Sequence, residues 1–324
     1  MMDEAADEGA LRIEGTRIAG SDAAPPPRAK ILDASGLTLV PALIDAHVHL
    51  SVAGEPARIA REEVRRGVAA VLDLAAPERL LPLHHPPLRI RFSGPILTAP
   101  SGYPTRSWGS NGEGLEVANE SDARAAVRRL AAKGARFVKL AFDPRFPVIA
   151  PEVARAAAEE AHLAEMLVAA HALEAGSVRR ALDAGADVLA HTPRDPLPSD
   201  LVRRMKGKWV VSTLRAYGTP PARLRTLRDA GARVAYGTDL GNEDTAPGID
   251  ARELLLLADA GVDPLPAATS AAASLLGFAD LGTLAPGSSA TLMAVRGTSP
   301  AELADPVWVM IDGAMVTPGA AGAA

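Results

Sequence analysis

The chain has 324 residues, of which 48% are hydrophobic and 23% are charged, and its formal net charge is -5 at pH 7. This length can bury a substantial core, in one large α/β domain or in two ordinary ones. The negative charge provides no basic surface for nucleic acid, and the absence of cysteine excludes disulfides, thiolate metal ligands and a thiol nucleophile. A bound transition metal would therefore depend on histidine, aspartate, glutamate or oxygen atoms derived from lysine.

The first ten residues, MMDEAADEGA, are acidic, whereas a secretory signal begins with basic residues followed by apolar ones. No apolar run in the sequence approaches the roughly 20 residues that cross a bilayer. The sequence therefore predicts a cytoplasmic protein that has neither a membrane nor a nucleic acid as its partner.

Two kinds of segment alternate through the middle of the chain. Short runs rich in Val, Ile and Leu predict strands, and the longer stretches between them have helical periodicity. The predicted strands cover residues 43–50, 69–74, 88–98, 137–142, 167–172, 187–191, 209–214 and 234–239. Several helical stretches end at a glycine, where a left-handed cap is expected: Gly134, Gly185 and Gly231. Eight strands alternating with helices predict a TIM (β/α)8 barrel of the α/β class.

The two ends of the chain have a different pattern. Residues 11–41 and 280–317 contain short apolar runs that are broken by glycine and proline, which is typical of short strands and turns. The simplest arrangement is a small β-sandwich domain formed from both termini and packed beside the barrel. The predicted division is 1–42 and 276–324 for this small domain and 43–275 for the barrel.

A His-x-His pair, His47 and His49 in the segment DAHVHL, stands at the end of the first predicted barrel strand. Residues two apart on a strand point to the same face. In a barrel that face can be the interior at the carboxyl-terminal rim, where active sites lie. A lone His-x-His pair is weak support for a metal site, because most such pairs are structural or accidental.

Four further polar residues fall on other predicted strands. Lys139 lies in the apolar run FVKLAF, and a buried lysine loses solvation as a cation. Reaction with carbon dioxide to form a carbamate would turn it into an anionic oxygen ligand. His171, His191 and Asp239 each follow an apolar run, in LVAAH, DVLAH and VAYGTD. A polar residue capping a loop is a reasonable reading of each one alone, but together they favour a shared metal site.

The order His-x-His, Lys, His, His, Asp over strands 1, 4, 5, 6 and 8 resembles the amidohydrolase superfamily, in particular its imidazolonepropionase-like and prolidase-like members. The segments 31–50 and 270–292 resemble the family's entry into the barrel and its exit into the flanking β domain. Two turns depart from the family's pattern. Ala42 replaces the glycine of the usual Pro-Gly, and Thr291 replaces the aspartate of the usual Pro-Gly-x-x-Ala-Asp-Leu.

The resemblance implies a binuclear metal centre that is held by six side chains: His47, His49, Lys139, His171, His191 and Asp239. His47, His49 and Asp239 would hold one divalent ion and the other two histidines a second. Carboxylated Lys139 and a hydroxide would bridge the two ions. Zinc is the expected metal, although manganese or cobalt could take its place, and a single ion is expected if Lys139 stays unmodified. Asp239 would accept the proton of the attacking hydroxide and pass it to the leaving nitrogen.

Three residues near the predicted rim are candidates for binding a substrate. Tyr103 lies in the long, glycine-rich loop 98–114, where its hydroxyl could orient a substrate carbonyl. Packing of the loop by a rim aromatic is an equally good reading of Tyr103. Arg215 and Tyr217 follow the seventh predicted strand and could contact a substrate carboxylate.

The first functional hypothesis is hydrolysis of an amide bond in a small molecule, such as a dipeptide, an N-acyl amino acid or a cyclic amide. Hydrolysis of an ester, a lactone or a phosphotriester is the alternative, because the same metal-activated water would serve those groups. A lyase or isomerase use of the barrel also stays open. A non-catalytic scaffold is the least favoured reading, because it predicts losses among the ligands. Assembly into a homo-oligomer is compatible with the sequence.

Overall fold

The computed structural model describes residues 9–20 and 28–316. Its strands are β1 (Arg12–Glu14), β2 (Arg17–Gly20), β3 (Thr38–Pro41), β4 (Leu43–Val48), β5 (Val68–Asp73), β6 (Arg89–Phe92), β7 (Ile96–Thr98), β8 (Gly114–Glu116), β9 (Phe137–Ala141), β10 (Leu167–His171), β11 (Val188–Leu189), β12 (Trp209–Val211), β13 (Arg233–Ala235), β14 (Leu292–Val295), β15 (Trp308–Ile311) and β16 (Ala314–Val316).

The helices are α1 (Leu50–Ala53), α2 (Pro56–Arg65), α3 (Glu120–Ala132), α4 (Pro151–Leu163), α5 (Ala175–Ala184), α6 (Ser199–Arg204), α7 (Leu214–Tyr217), α8 (Pro221–Asp229), α9 (Ala251–Asp259), α10 (Pro264–Ala268), α11 (Ser270–Leu276) and α12 (Pro300–Leu303). Among the residues that the structure describes, no helix combines the length and the apolar character that a membrane span requires. The three predicted helix-capping glycines have left-handed φ angles of +88°, +102° and +90°.

Parallel strands form the wall of a barrel, in the order β4, β5, β7, β9, β10, β11, β12 and β13. The third wall strand is broken into β6, which pairs with β5, and β7, which pairs with β9. The sequence predicted one continuous strand over 88–98. The break follows from the bend at Gly94, whose φ is +75°, and from the following Pro95, which cannot donate a ladder hydrogen bond.

Backbone hydrogen bonds between the last and first wall strands close the barrel. The amide of Ala46 donates to the carbonyl of Tyr236 at 2.9 Å, and the amide of Asp239 donates to that of His47 at 2.9 Å. The amide of His49 donates to the carbonyl of Leu240 at 2.7 Å. The prediction of a (β/α)8 barrel is therefore confirmed.

Apolar side chains fill the barrel near the amino-terminal ends of its strands. This interior cluster includes Ile44, Phe137 and Trp209, which stand at or near strand starts, and the apolar face of α11 packs against it. Seven of the eight wall strands end before their predicted carboxyl ends, and β11 keeps only Val188–Leu189 of the predicted 187–191. Beyond the carboxyl ends of the strands, the chain leaves the hydrogen-bonded ladder. The polar side chains of these segments lie over the apolar cluster inside the barrel.

Both ends of the chain contribute to a small β domain, as predicted. An antiparallel sheet with the order β16-β15-β14-β3 joins one amino-terminal strand to three carboxyl-terminal ones. The β1-β2 hairpin packs on it through a cluster that includes Ile18, Leu292 and Met310. On the barrel side, Arg89 bonds to Asp280 at 2.8 Å and to Asp312 at 2.7 Å. The boundaries 1–42 and 276–324 stay a prediction, because residues 1–8, 21–27 and 317–324 lie outside the described part.

Candidate metal centre

Three donor atoms converge at the carboxyl-terminal rim of the barrel. Nε2 of His47 and Nε2 of His49 are 3.3 Å apart, and Oδ1 of Asp239 lies 3.2 Å from the first and 3.1 Å from the second. A tetrahedral ion with bonds of about 2.0–2.1 Å separates its ligand atoms by about 3.3–3.4 Å. All three side chains are buried, and Oδ1 of Asp239 has no hydrogen-bond partner within the described ranges. The three atoms therefore fit a single divalent cation.

An irregularity in β4 brings these donors together. The pairing of β4 with β5 shifts register between Asp45 and Val48, so regular alternation does not continue to the end of the strand. The Asp45 carboxylate accepts hydrogen bonds from the His47 amide at 2.9 Å, the Thr238 amide at 3.1 Å and the Thr238 hydroxyl at 2.5 Å. Asp239 then takes a left-handed conformation with φ +58°. Asp45 thus fixes the backbone both at the strand that carries His47 and at the segment that carries Asp239.

Hydrogen bonds on the far sides of the ligands orient them. Nδ1 of His47 lies 2.8 Å from the carbonyl oxygen of Ala190, to which it donates in the tautomer that leaves Nε2 with a free lone pair. The side-chain Nδ2 of Asn242 donates to Oδ2 of Asp239 at 3.1 Å, which leaves Oδ1 directed at the two imidazoles. Such partners on the outer atoms are the usual way in which proteins orient metal ligands.

The other three predicted ligands lie beside this group. Nδ1 of His171 is 3.0 Å from Nε2 of His191, and Nδ1 of His191 is 3.1 Å from the Thr213 hydroxyl. The rings of His47 and His191 are 4.6 Å apart. Lys139 is only 1% exposed, and its charge contributes to the lowered pKa values of His47, His171 and His191. The structure therefore brings the predicted ligands to one end of the barrel.

Burial sets the protonation states of these groups. It lowers the pKa of His171 to about 3 and that of Lys139 to about 7, and it holds the pKa values of His47 and His191 well below their ordinary values. Burial by itself would raise the pKa of Asp239, but His47 and His49 hold it well below its usual range. Neutral imidazoles and an ionised carboxylate are the states in which these side chains bind metals.

Aromatic rings cover the site. The chain has three Trp, three Tyr and five Phe, and four of these residues lie here. The Tyr103 ring stacks on His171 at 4.7 Å, and the Trp108 ring lies 5.1 Å from that of His49. Nε1 of Trp108 donates to the Tyr103 hydroxyl at 2.9 Å, and the Tyr217 ring lies 4.6 Å from His191. Tyr103 therefore both packs the loop and reaches the site, so both of its predicted roles stay open.

The Arg215 side chain is engaged by residues outside the donor group. Its guanidinium pairs with Asp250 and donates to the carbonyl of Asp244 at 2.7 Å, while its backbone amide donates to Glu253 at 2.7 Å. These bonds hold the segment between β13 and α9. Its contact with a substrate carboxylate stays a prediction.

Sequence reasoning missed several residues of the site. Asp143, Arg145 and Phe146 follow β9 and lie beside Tyr103 and His171. Their position just past the end of a barrel strand was a signal that could have found them, because active-site residues of such barrels lie there. Asp45 carried no comparable signal, since its role depends on Thr238, 193 residues away.

No protein-family model matches the chain. Among curated proteins, the chain is similar to an uncharacterized protein of Mycobacterium tuberculosis, with 28% identity over 273 residues, which cover 71% of this chain and 69% of the relative. It is also similar to the imidazolonepropionase of Deinococcus deserti, with 42% identity over 92 residues, 27% of this chain and 23% of that enzyme.

Solved structures are similar over nearly the whole length. A protein of Bifidobacterium longum assigned as a prolidase has a TM-score of 0.79 and 25% identity, over 94% of this chain and 88% of its own. A Xaa-Pro dipeptidase with methionine bound in its active site has a TM-score of 0.80 and 21% identity, over 94% and 93%. An amidohydrolase has a TM-score of 0.76 and 23% identity, over 95% and 94%. The resemblance to the amidohydrolases is thus confirmed in the fold: the chain is built as these proteins are, from a TIM-like barrel and a small terminal β domain.

Proposed function

We propose that the protein is a metal-dependent hydrolase that cleaves an amide C–N bond in a small molecule such as a dipeptide or an N-acyl amino acid. The observation that carries the proposal is the buried convergence of His47, His49 and Asp239, where a carboxylate oxygen without a hydrogen-bond partner among the described residues is directed at two imidazole nitrogens. The similarity to structures named as a prolidase, a dipeptidase and an amidohydrolase supports the amide as the bond that is cleaved.

The donor set suits two divalent ions, with zinc as the first expectation. One would be held by His47, His49 and Asp239, and the other by His171 and His191, with Lys139 shared between them as a carbamate. Histidine and carboxylate ligands suit zinc, and also manganese or cobalt. When bound, such ions polarise a substrate carbonyl and make hydroxide available near neutral pH.

Asp239 is the residue that we assign to proton transfer. Its pKa is held low, so the carboxylate is ionised and can accept the proton of the attacking water and return it to the leaving nitrogen. Burial raises the pKa values of Tyr103 and Tyr217, so both hydroxyls stay protonated and can donate to a substrate carbonyl. The rings around the donor atoms exclude bulk water, which strengthens these electrostatic interactions.

The test is hydrolysis of matched panels of amides, esters and phosphotriesters by the purified protein, before and after chelation. We expect amide cleavage that chelation abolishes and that zinc, manganese or cobalt restores. His47→Ala should behave as the chelated protein does. His162→Ala is the matched control, because His162 pairs with Asp187 away from the site. Cleavage of esters or phosphotriesters without cleavage of amides would overturn the assigned bond, and full activity without metal would overturn the metal dependence.

A further inference from the structure

Arg145 is held at the mouth of the site by a buried carboxylate. Its Nε and Nη2 atoms bond to Asp143 at 3.0 Å and 2.6 Å. Asp143 is 4% exposed, and its Oδ2 lies 4.0 Å from Nε2 of His171. The next residue, Phe146, places its ring 5.7 Å from that of Tyr103. The guanidinium is therefore fixed beside the rings that cover the donor atoms.

The outer edge of this guanidinium is available to a ligand. The Arg145 side chain is 67% exposed, and within the described ranges Asp143 is its sole carboxylate partner at ion-pair distance. Asp143 occupies Nε and Nη2, which leaves Nη1 and the remaining N–H groups of a five-donor fork. Arg215, the other candidate for a carboxylate contact, is 27% exposed and committed to Asp250.

The charge of Arg145 acts on the aromatic residues of the site. Glu174, on the segment after β10, interacts with it but also lies 3.8 Å from Arg194. Burial raises the pKa values of Tyr103 and Tyr217, and the charge of Arg145 opposes that rise. The field of Arg145 therefore reaches both tyrosines.

We propose that Arg145 binds a carboxylate of the substrate, so that the site favours amides of amino acids or of similar small acids. An apolar group of the same substrate would lie against Tyr103, Trp108 and Phe146. A planar carboxylate matches the free edge of the guanidinium, and charge-assisted bonds of this kind are roughly twice as strong as neutral ones. The inference rests on the proposed function for the reaction, although carboxylate binding can be measured without it.

The test uses matched pairs of compounds that differ in the carboxylate alone, such as N-acetylphenylalanine and N-acetylphenethylamine. Each compound of a pair contains one acetamide bond. We expect the wild-type holoenzyme to prefer the acid in kcat/KM. Arg145→Gln should lower the ratio of kcat/KM for the acid to kcat/KM for the compound without the carboxylate. The expected decrease is about 10–100-fold, the range for one hydrogen bond to a charged group, and it should come mainly through KM. Arg145→Lys should keep part of the preference, because it retains the charge but not the fork.

Arg179→Gln is the matched control, because Arg179 pairs with Asp200 between the outer helices α5 and α6 at 2.8 Å. It removes the same charge and should keep the wild-type ratio. An unchanged ratio in Arg145→Gln, or a wild-type enzyme without preference for the acid, overturns the inference. If neither compound is cleaved, the proposed function fails for these amides, and calorimetric binding of the same pairs decides. Tighter binding of the acid that Arg145→Gln abolishes supports the inference, and equal binding or no binding overturns it.

Discussion

The two halves of the candidate metal site differ in how complete they are. In the half formed by His47, His49 and Asp239, three donor atoms lie 3.1–3.3 Å from one another. In the half formed by Lys139, His171 and His191, two imidazole nitrogens lie 3.0 Å apart, and the third predicted ligand is a buried lysine. A protonated amine cannot bind a cation. The first half is thus complete with ordinary side chains, whereas the second depends on the chemical state of Lys139.

The backbone around each half explains why only the first half is complete with ordinary side chains. The first half lies on the seam between β4 and β13, where Asp45 bonds to Thr238 and to the His47 amide. The second half is spread over β9, β10 and the residues just past β11, with Lys139 paired in register with Ala169 and His171 with Ala141. In the proposed centre, the carbamate of Lys139 would supply the third ligand of this half.

The largest loss of activity is expected from a substitution in the half formed by His47, His49 and Asp239. Asp239→Asn should keep the fold and most of the metal, because an amide oxygen is still a weak ligand, but the amide cannot accept a proton. We expect kcat to fall by about 10²–10⁴-fold, as is typical when a general base is lost. The measurement is kcat together with metal content. Asp239→Ala should be as inactive as Asp239→Asn and should bind the metal less well. Asp187→Asn is the control: Asp187 pairs with His162, and its substitution should leave kcat nearly unchanged. A near-normal kcat with full metal in Asp239→Asn would remove Asp239 from proton transfer.

A substitution in the half formed by Lys139, His171 and His191 should lower activity less, and added small molecules should restore part of the lost activity. Lys139→Ala should lose part of its activity and one of two bound ions, and bicarbonate with a small carboxylic acid should restore part of both. Lys139→Arg should not substitute, because a guanidinium cannot form the carbamate. Elemental analysis and turnover with and without the added acid check this. A Lys139→Ala variant with two ions and wild-type turnover would make the lysine purely structural.

The smallest expected effect is on the pH dependence of folding stability, and it comes from the buried carboxyl groups of Glu63 and Asp45. Burial raises the pKa of Glu63 to about 8, with the neighbouring Asp45 charge adding to the rise, and the pKa of Asp45 itself is raised to about 7. A carboxyl whose pKa is raised by folding stabilises the folded state fully below its unfolded value, and this contribution is lost as the pH rises towards the folded value. Stability should therefore fall between roughly pH 4.5 and 8.

Glu63→Gln removes this ionisation while keeping the shape of a side chain that accepts from the Gly248 amide at 2.9 Å. The variant should match the wild type in thermal melts at about pH 4.5, and its Tm should exceed that of the wild type by a margin that grows up to roughly pH 8 and is a few degrees at pH 9. Glu62→Gln, one residue away and paired with Arg58 on the surface, is the control and should show no such gain. Equal melting of Glu63→Gln and wild type over the whole range up to pH 9 would show that folding does not raise the pKa of Glu63.

Much of the barrel could be predicted from the sequence, because buried parallel strands leave a continuous apolar run and each run here is followed by a polar residue. His171, His191 and Asp239 were predicted as metal ligands in this way, and they lie at one end of the barrel, while their binding of metal stays a prediction. The break at Gly94 and the register shift at Asp45 could not be predicted, since they depend on which strands become neighbours. Arg215 shows the same limit, because nothing local reveals that Asp250 pairs with it.

The central claim is that hydrolysis of an amide depends on metal bound by both halves of the site. The most direct test is to prepare metal-free protein, add zinc in steps and measure amide turnover and bound metal together, in wild type and in Lys139→Ala. We expect wild-type turnover to rise from zero and to level off at two ions per chain, and Lys139→Ala to level off at one ion with lower turnover. Full turnover of the wild type before any metal is bound would contradict the account.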